Sequence, residues 1–308
     1  MGRVKSETHK EHHFVPEFYL RAWASPDESQ SARLTCFKWI LGQLKSDRIS
    51  PKGAASERFL YSRHSAAPDQ RQSVEREFFG ARIDDPAAPA IAKMIRGGET
   101  LSDAEATAFA RYLLAQRYRT PGYIKHLRSE AALAVKDLIA DIEPEYQRLS
   151  NGDLPDKLSD FMQRTMPALP DYLGIQSLPR LIEQPSLANI LVGMEWGWGK
   201  LDVPGRTLLT GDRPVIYTRG LGDPACIVAL PLSPTVAFFA MKDPERLRRL
   251  LAHPPRELIG RLNLHIASQA RAYVYARDEL QRRFLEKYFK RPEEQPPETF
   301  RRLRPNVS

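Results

Sequence analysis

Hydrophobic and polar positions follow three rhythms along this chain, and each predicts a different kind of element. From about 11 to 95 the pattern is short and mixed. The run at 34–40 (LTCFKWI) alternates and is rich in β-formers, which predicts a strand. The LGQLKSDRIS stretch after it supplies a turn and a polar return strand, and 58–63 (RFLYSR) reads as another short extended piece. Between 73 and 82, Val74, Phe78 and Phe79 gather on one side of a predicted helix.

From 96 to 193 the rhythm is helical. Ser102 and Glu105 form a capping box, the hydroxyl taking an early backbone N–H while the carboxylate reaches back. Phe109, Leu113 and Leu114 then form an apolar stripe. Thr120 and Pro121 open a second helix as cap and first residue. Ile124, Leu127, Ala131, Val135, Leu138 and Ile142 keep its period, and further helices are predicted at 157–163 and 186–192. From 194 to 290 the period falls to two. Trp196 and Trp198 alternate with glycines, TLLTGDRPVIYT flanks a turn, and CIVALPLSPTVAFFAM reads as two strands broken at 231–234. Helices at 244–252 and through 256–289, the latter one long helix or a pair, close the region.

Strands and helices segregate, so the predicted fold is α+β, a helical middle packed with a mostly antiparallel sheet. A lead at 1–10, one domain at 11–290 and a Pro-rich charged tail at 291–308 complete the expected organisation.

Composition narrows the class. The balance of 42% hydrophobic and 27% charged residues is that of a globular chain. No stretch approaches the roughly 20 apolar residues that cross a bilayer. The N-terminal residues lack the apolar core of a secretion signal, and a chance match to the myristoylation pattern is discounted. Membrane partners are therefore not expected. Cys36 and Cys226 are read as lone thiols, which suits the cytoplasm. The net charge of +8 admits a polyanionic partner such as nucleic acid. Because 46 basic residues sit beside 38 acidic ones, a basic soluble enzyme accounts for it equally well.

Seven segments arrive in order: HHFVPEFYLRAWA, ASERFLYSR, VEREFF, AQRYRTP, TGDRPV, LPLSPTVAF and a late LN. Together, over about 11–275, they resemble the domain-of-unknown-function family 4238, whose members carry HHxVPxFYLR, QxxRTP, SDxPV and PLSP segments. The resemblance implies no established chemistry. Here SDxPV becomes Gly211-Asp212-Arg213-Pro214-Val215, keeping the aspartate. The family's glutamate in the helix after VE is absent. Arg82 stands near that place with Asp84 and Asp85 just beyond, so a carboxylate pair survives only if one of these aspartates substitutes.

Three groups could carry chemistry. His9, His12 and His13 put three of the seven histidines within five residues, and imidazole suits both proton transfer and metal binding. On a strand His12 and His13 face opposite sides and do not readily share one metal. The plainer alternative has His13 beside Phe14, donating to a backbone carbonyl, with His12 solvated. Asp212, at a turn, could bind metal or act as a base, or instead accept backbone N–H bonds in its own bend. Gln116, Arg119 and His126 lie at a helix junction, and Arg-x6-His is similar to the motif of the helical HEPN ribonucleases, as loose motif matches often are. Glu75 and Glu77 read as solvated carboxylates, Trp196 and Trp198 as core, and Asn263 and His265 as residues on different helix faces. No GxGxxG, Walker loop, HExxH or GxSxG occurs.

The leading expectation is a phosphodiester-cleaving nuclease linked to defence or stress. In it His12 or His13 acts as base or ligand, Asp212 orients it or holds a divalent metal, and Arg119 and Gln116 line the same cleft. The alternatives are a non-catalytic binding or scaffolding module, and a small-molecule enzyme.

Overall fold

In a computed structural model, which describes residues 11–26, 31–63, 70–150 and 154–298, the opening segment forms β1 (Glu11–His13), α1 (Glu17–Leu20) and β2 (Ser25–Pro26). The predicted lead at 1–10 and the end of the tail lie outside the described residues. The alternating run folds as β3 (Ala32–Ile40) and returns as β4 (Gln43–Ile49). Leu41 and Gly42 join them, both left-handed at φ 48° and 75°. Two consecutive positive φ angles match the twist of the flanking strands. β5 (Ser56–Arg58) pairs antiparallel with β1, His12 opposite Glu57. The extended reading of 58–63 thus holds only at Arg58, because Phe59, at φ 60°, turns the chain away.

Where the pattern predicts an α-helix at 73–82, the chain winds as a π-helix, Val74–Asp84. Its buried residues are Val74, Phe78, Phe79 and Ile83. That spacing fits a wide turn of about 4.4 residues better than one of 3.6. Helices α2 (Asp85–Arg96), α3 (Asp103–Tyr118) and α4 (Pro121–Leu149) follow. Ser102 and Glu105 close the capping box of α3, and the Thr120 hydroxyl accepts the Tyr123 N–H at 3.3 Å to start α4. The apolar period of α4 is buried at Ile124 and Leu127, whereas Leu138 and Ile142 are exposed. The far half of α4 leaves the core and meets α5 (Leu158–Thr165) through Tyr146 and Phe161, while α6 (Leu169–Ile182) packs on its first half at Leu127 and Arg128. α7 (Pro185–Val192) ends the helical region.

Period two then gives β6 (Glu195–Lys200), β7 (Thr210–Gly211), β8 (Ile216–Tyr217), β9 (Ile227–Ser233) and β10 (Val236–Met241). The two strands expected around a break at 231–234 are present, with the break at Pro234 and Thr235. β9 runs through Pro231 to Ser233, and a register shift at Val236/Ala237 takes up the irregularity. α8 (Pro244–Leu251) and α9 (Pro255–Gln269) come next. The expected helix or helix pair at 256–289 is divided by a strand, β11 (Val274–Ala276), before α10 (Arg282–Tyr288).

The strands form two larger antiparallel sheets, ordered β6-β10-β9-β8 and β2-β3-β11-β7 with β4 also on β3, beside the small β1-β5 pair. The fold is α+β. Along β10, Val236, Phe238 and Ala240 enter one apolar cluster, shared with the helical region, while Ala237, Phe239 and Met241 enter a second. Burial on both faces explains why this part of the sequence is continuously apolar. The opening segment pins the two sheets. Tyr19 donates its hydroxyl to the Pro231 carbonyl at 2.6 Å and lies 2.9 Å from Thr210 Oγ1, and Trp23 Nε1 donates to the Leu208 carbonyl at 2.9 Å.

Candidate functional site

β1 delivers its two imidazoles to opposite sides, as a strand must. His12 is wholly buried and stacks on Tyr61 at 5.6 Å. Its Nδ1 accepts the Tyr61 N–H at 2.9 Å, which assigns the proton to Nε2, facing Gln72 Oε1. His13 is half-buried, and its Nε2 donates to the Lys52 carbonyl at 2.9 Å. Burial holds the His13 ring below the ordinary imidazole value. The carbonyl of Lys52 opposes that shift and the charge of Arg119 adds to it. His13 therefore makes the expected carbonyl contact, but His12 is the inward ring rather than a solvated one. His9 lies outside the described residues.

The main chain of His13 is gripped from two sides. Its N–H donates to Glu75 Oε1 at 3.1 Å, and its carbonyl accepts from Arg119 Nη2 at 2.6 Å. Arg119, the last-turn cap of α3, has no solvent exposure. Its Nη1 donates to both oxygens of Asp84, at 2.8 and 3.1 Å, and its guanidinium lies 4.4 Å over the Phe79 ring. Burial disfavours this charge, but the nearby carboxylates of Asp84 and Glu75 outweigh it and hold the guanidinium above its ordinary value. Asp84 thus supplies the second carboxylate beside the arginine.

The π-helix is what puts both acids there. Glu75 and Asp84 are nine residues apart, about two full turns at roughly 4.4 residues each, so they face the same way. At about 100° per residue, an α-helix would set them on opposite sides. Burial pushes the Glu75 carboxyl up to about 7 against the pull of Arg119. Its Oε2 is buried with no hydrogen-bond partner, as are both amide atoms of Gln116, the Tyr112 hydroxyl and Arg119 Nε. Tyr112, Gln116 and Arg119 fall on one face of α3 by their spacing.

Asp212 stands elsewhere. It is buried, and its oxygens accept the backbone N–H groups of Arg271, Ala272 and Tyr273, the closest at 2.6 Å. Burial raises its pKa while these amides oppose the shift. It clamps the loop before β11 rather than its own bend. The structure brings His12, His13 and Arg119 together and leaves Asp212 beside Arg213 and Arg271. His126 lies against Tyr123, ring centroids 5.8 Å apart, while Arg119 turns to Asp84. Trp196 packs edge-on against Phe109 and Phe238. Asn263 is buried and bonds the Leu209 N–H and Thr207 carbonyl, and His265 is exposed. Among the described residues, no group of three His, Cys, Asp or Glu side chains is placed to hold a metal ion. No helix among them is long and apolar enough to cross a membrane.

A cavity of about 230 Å³ opens on the outer side of the π-helix. Arg63, Ser73, Glu77, Arg82 and Gln176 line it with polar groups, and Val74, Phe78 and Pro179 with apolar ones. Arg63 lies 5.7 Å over the Tyr172 ring and donates to the Gln70 carbonyl at 3.1 Å. Ser62 and Gln72, which precede Arg63 and Ser73, bond to each other at 3.2 Å, and Gln72 also meets His12. The buried histidine therefore holds the rim of an open cavity.

The model of the family described as protein of unknown function (DUF4238) matches residues 11–280. The chain belongs to this family. No curated protein and no solved structure matches it. The family-matched span includes β1, the π-helix, the α3–α4 junction, Asp212 and Arg271, but not residues 281–298. Sequence reading did not select Arg63, Arg82 or Arg271, since isolated arginines carry no spacing signal. Asp84 was legible in the 74, 78/79, 83 spacing once that is read as a wide turn.

Proposed function

We propose that this protein is a binding module for a phosphate-bearing ligand, taken up in the cavity between the π-helix and α6. The carrying observation is the presence of two guanidiniums, Arg63 and Arg82, on the rim of a cavity with an apolar floor. Guanidinium forks match phosphate oxygens, and an apolar floor takes a sugar or base. The Arg63 Nη groups hold Gln176, the Gln70 carbonyl and Ser73 at exposed or part-buried positions, and Arg82 holds Glu183 only at 3.7 Å across exposed surface, contacts that a ligand can displace. Glu77 offers an acceptor to a ligand hydroxyl or amino group. The net charge of +8 draws anions toward the surface. Two buried free thiols suit work in the cytoplasm.

The nuclease reading by the histidine set has less support. Both Nη groups of Arg119 and both ring nitrogens of His12 are committed at positions with no solvent exposure, so neither meets a phosphodiester. One observation favours it as a second reading: Glu75, poised near 7 with an unpartnered oxygen, suits a proton carrier beside His13.

Titration of the whole chain with a nucleoside monophosphate and with single-stranded RNA and DNA tests the proposal. Arg82→Gln and Arg63→Gln are each expected to weaken binding about tenfold, and added salt to weaken it further. Affinities unchanged by both substitutions would remove the cavity from the reading, and cleavage of the oligonucleotides would restore the second one.

A further inference from the structure

The sequence gives α4 a start, Thr120-Pro121-Gly122, whose dipole is positive; Pro121 has no N–H and the Thr120 hydroxyl takes that of Tyr123, which leaves the Gly122 N–H without an intrahelical acceptor. The clamp made by Asp212 brings the chain at 271 beside its own neighbour, Arg213. Glu298 lies among these groups. Its Oε1 accepts from Arg213 Nη2 and sits 3.4 Å from Arg271 Nε. The carboxylate also occupies the place where a Cβ on Gly122 would stand, so glycine is what admits it to the end of the helix.

We propose that Arg213, Arg271 and the α4 N-terminus form a second anion site, built for a phosphate group and occupied by the protein's own Glu298. Four observations bear on this. The side chains of Arg213, Arg271 and Glu298 keep 25%, 26% and 23% exposure, so the site opens to solvent. Burial depresses the Arg213 pKa, Glu298 and Asp212 oppose that, and Arg271 adds repulsion. Glu298 is the carboxylate paired with both arginines, so removing it leaves two adjacent guanidiniums with only the Asp212 charge near Arg213.

The third observation is the origin of the occupant. Gly122, Arg213 and Arg271 lie inside the family-matched span, whereas Glu298 lies beyond its end at 280. Cradle and plug thus come from differently specified parts of the chain. Fourth, the strap that carries Glu298 is held by polar contacts that water can replace: Gln295 Nε2 to the Arg271 carbonyl at 2.9 Å, and Arg271 Nη1 to the Pro296 carbonyl at 2.7 Å. A phosphate brings more charge and more acceptor oxygens than a carboxylate to the same two forks. The tail then acts as a competitor that sets the apparent affinity.

This site shares no residue with the Arg63 cavity, so either can fail alone. Calorimetric titration of the full chain with inorganic phosphate is the direct test, run alongside 5′-phosphorylated and 5′-hydroxyl oligonucleotides to distinguish a free phosphate from a nucleic-acid end. Glu298→Gln is expected to bind phosphate at least tenfold more tightly than wild type. Adding Gly122→Ala, which fills the space with a methyl on a helical backbone, or Arg271→Gln, is expected to abolish that gain, and Arg82→Gln to leave it intact. No gain with Glu298→Gln, or a gain that survives both Gly122→Ala and Arg271→Gln, overturns the proposal.

Discussion

Arg119 holds a full charge where no water reaches, and such a charge is stable only if its donors are matched nearly one for one. Asp84 and the His13 carbonyl do the matching. Glu75, beside them, is the member that titrates. Its carboxyl stands at about 7 against an ordinary 4.5, so between those values the folded chain keeps a proton that the unfolded chain has released. Stability therefore declines as pH rises through that window, by up to about 1.4 kcal/mol per pH unit. His13, held below 6.5, acts with the opposite sign, since there the unfolded chain binds the extra proton. Glu75→Gln separates the two. In denaturant titrations at pH 5, 6 and 7, wild type is expected to lose stability relative to the variant as pH rises, and a pH-independent difference would remove Glu75 from this role. At this scale the sequence made Arg119 and His13 visible, because an unusual residue in an ordered motif stands out. It could not say which aspartate would meet the arginine, since Asp84 and Asp212 differ only in what the fold brings to them.

At the scale of elements, the strands and most helices were readable because caps, periods and turns act locally. The misreadings arose where tertiary packing overrides local preference. The π-helix was read at 3.6 residues per turn, although its buried positions already carry the wider spacing. The break between β9 and β10, expected over 231–234, is narrower than that: β9 keeps Pro231, where the pairing is already irregular, and ends at Ser233. The β3–β4 hairpin offers a test of local strain. Leu41 is left-handed and 98% exposed, so its side chain gains nothing from burial to offset the backbone cost. Leu41→Asn is expected to stabilise the protein by about 1 kcal/mol, since Asn-Gly is the favoured pair for this turn. An unchanged or lowered unfolding midpoint would show that the turn is not strained there.

For the whole molecule, the α+β class followed from strands and helices being grouped along the chain. The joining of the two apolar clusters did not, because the contacts responsible link residues about 200 positions apart. Tyr19 reaches Thr210 and Pro231, and Trp23 reaches Leu208. Removing the Tyr19 hydroxyl takes a buried hydrogen bond from the Pro231 carbonyl, and Tyr19→Phe is expected to cost about 1–3 kcal/mol. If residues 11–290 form one cooperative unit, calorimetry will show a single transition that shifts to lower temperature as a whole. Two transitions, of which only one moves, would divide it. The same long reach has a consequence during synthesis. At about 5–20 residues per second, the aromatic side chains of the opening segment wait roughly 10 to 40 s for the strands that receive them to leave the ribosome. Through that interval the two rings have each other and, once α3 is made, Tyr112 as native neighbours, while the Tyr19 hydroxyl and the Trp23 indole N–H wait without their native acceptors, which makes the opening segment a place for a chaperone to act.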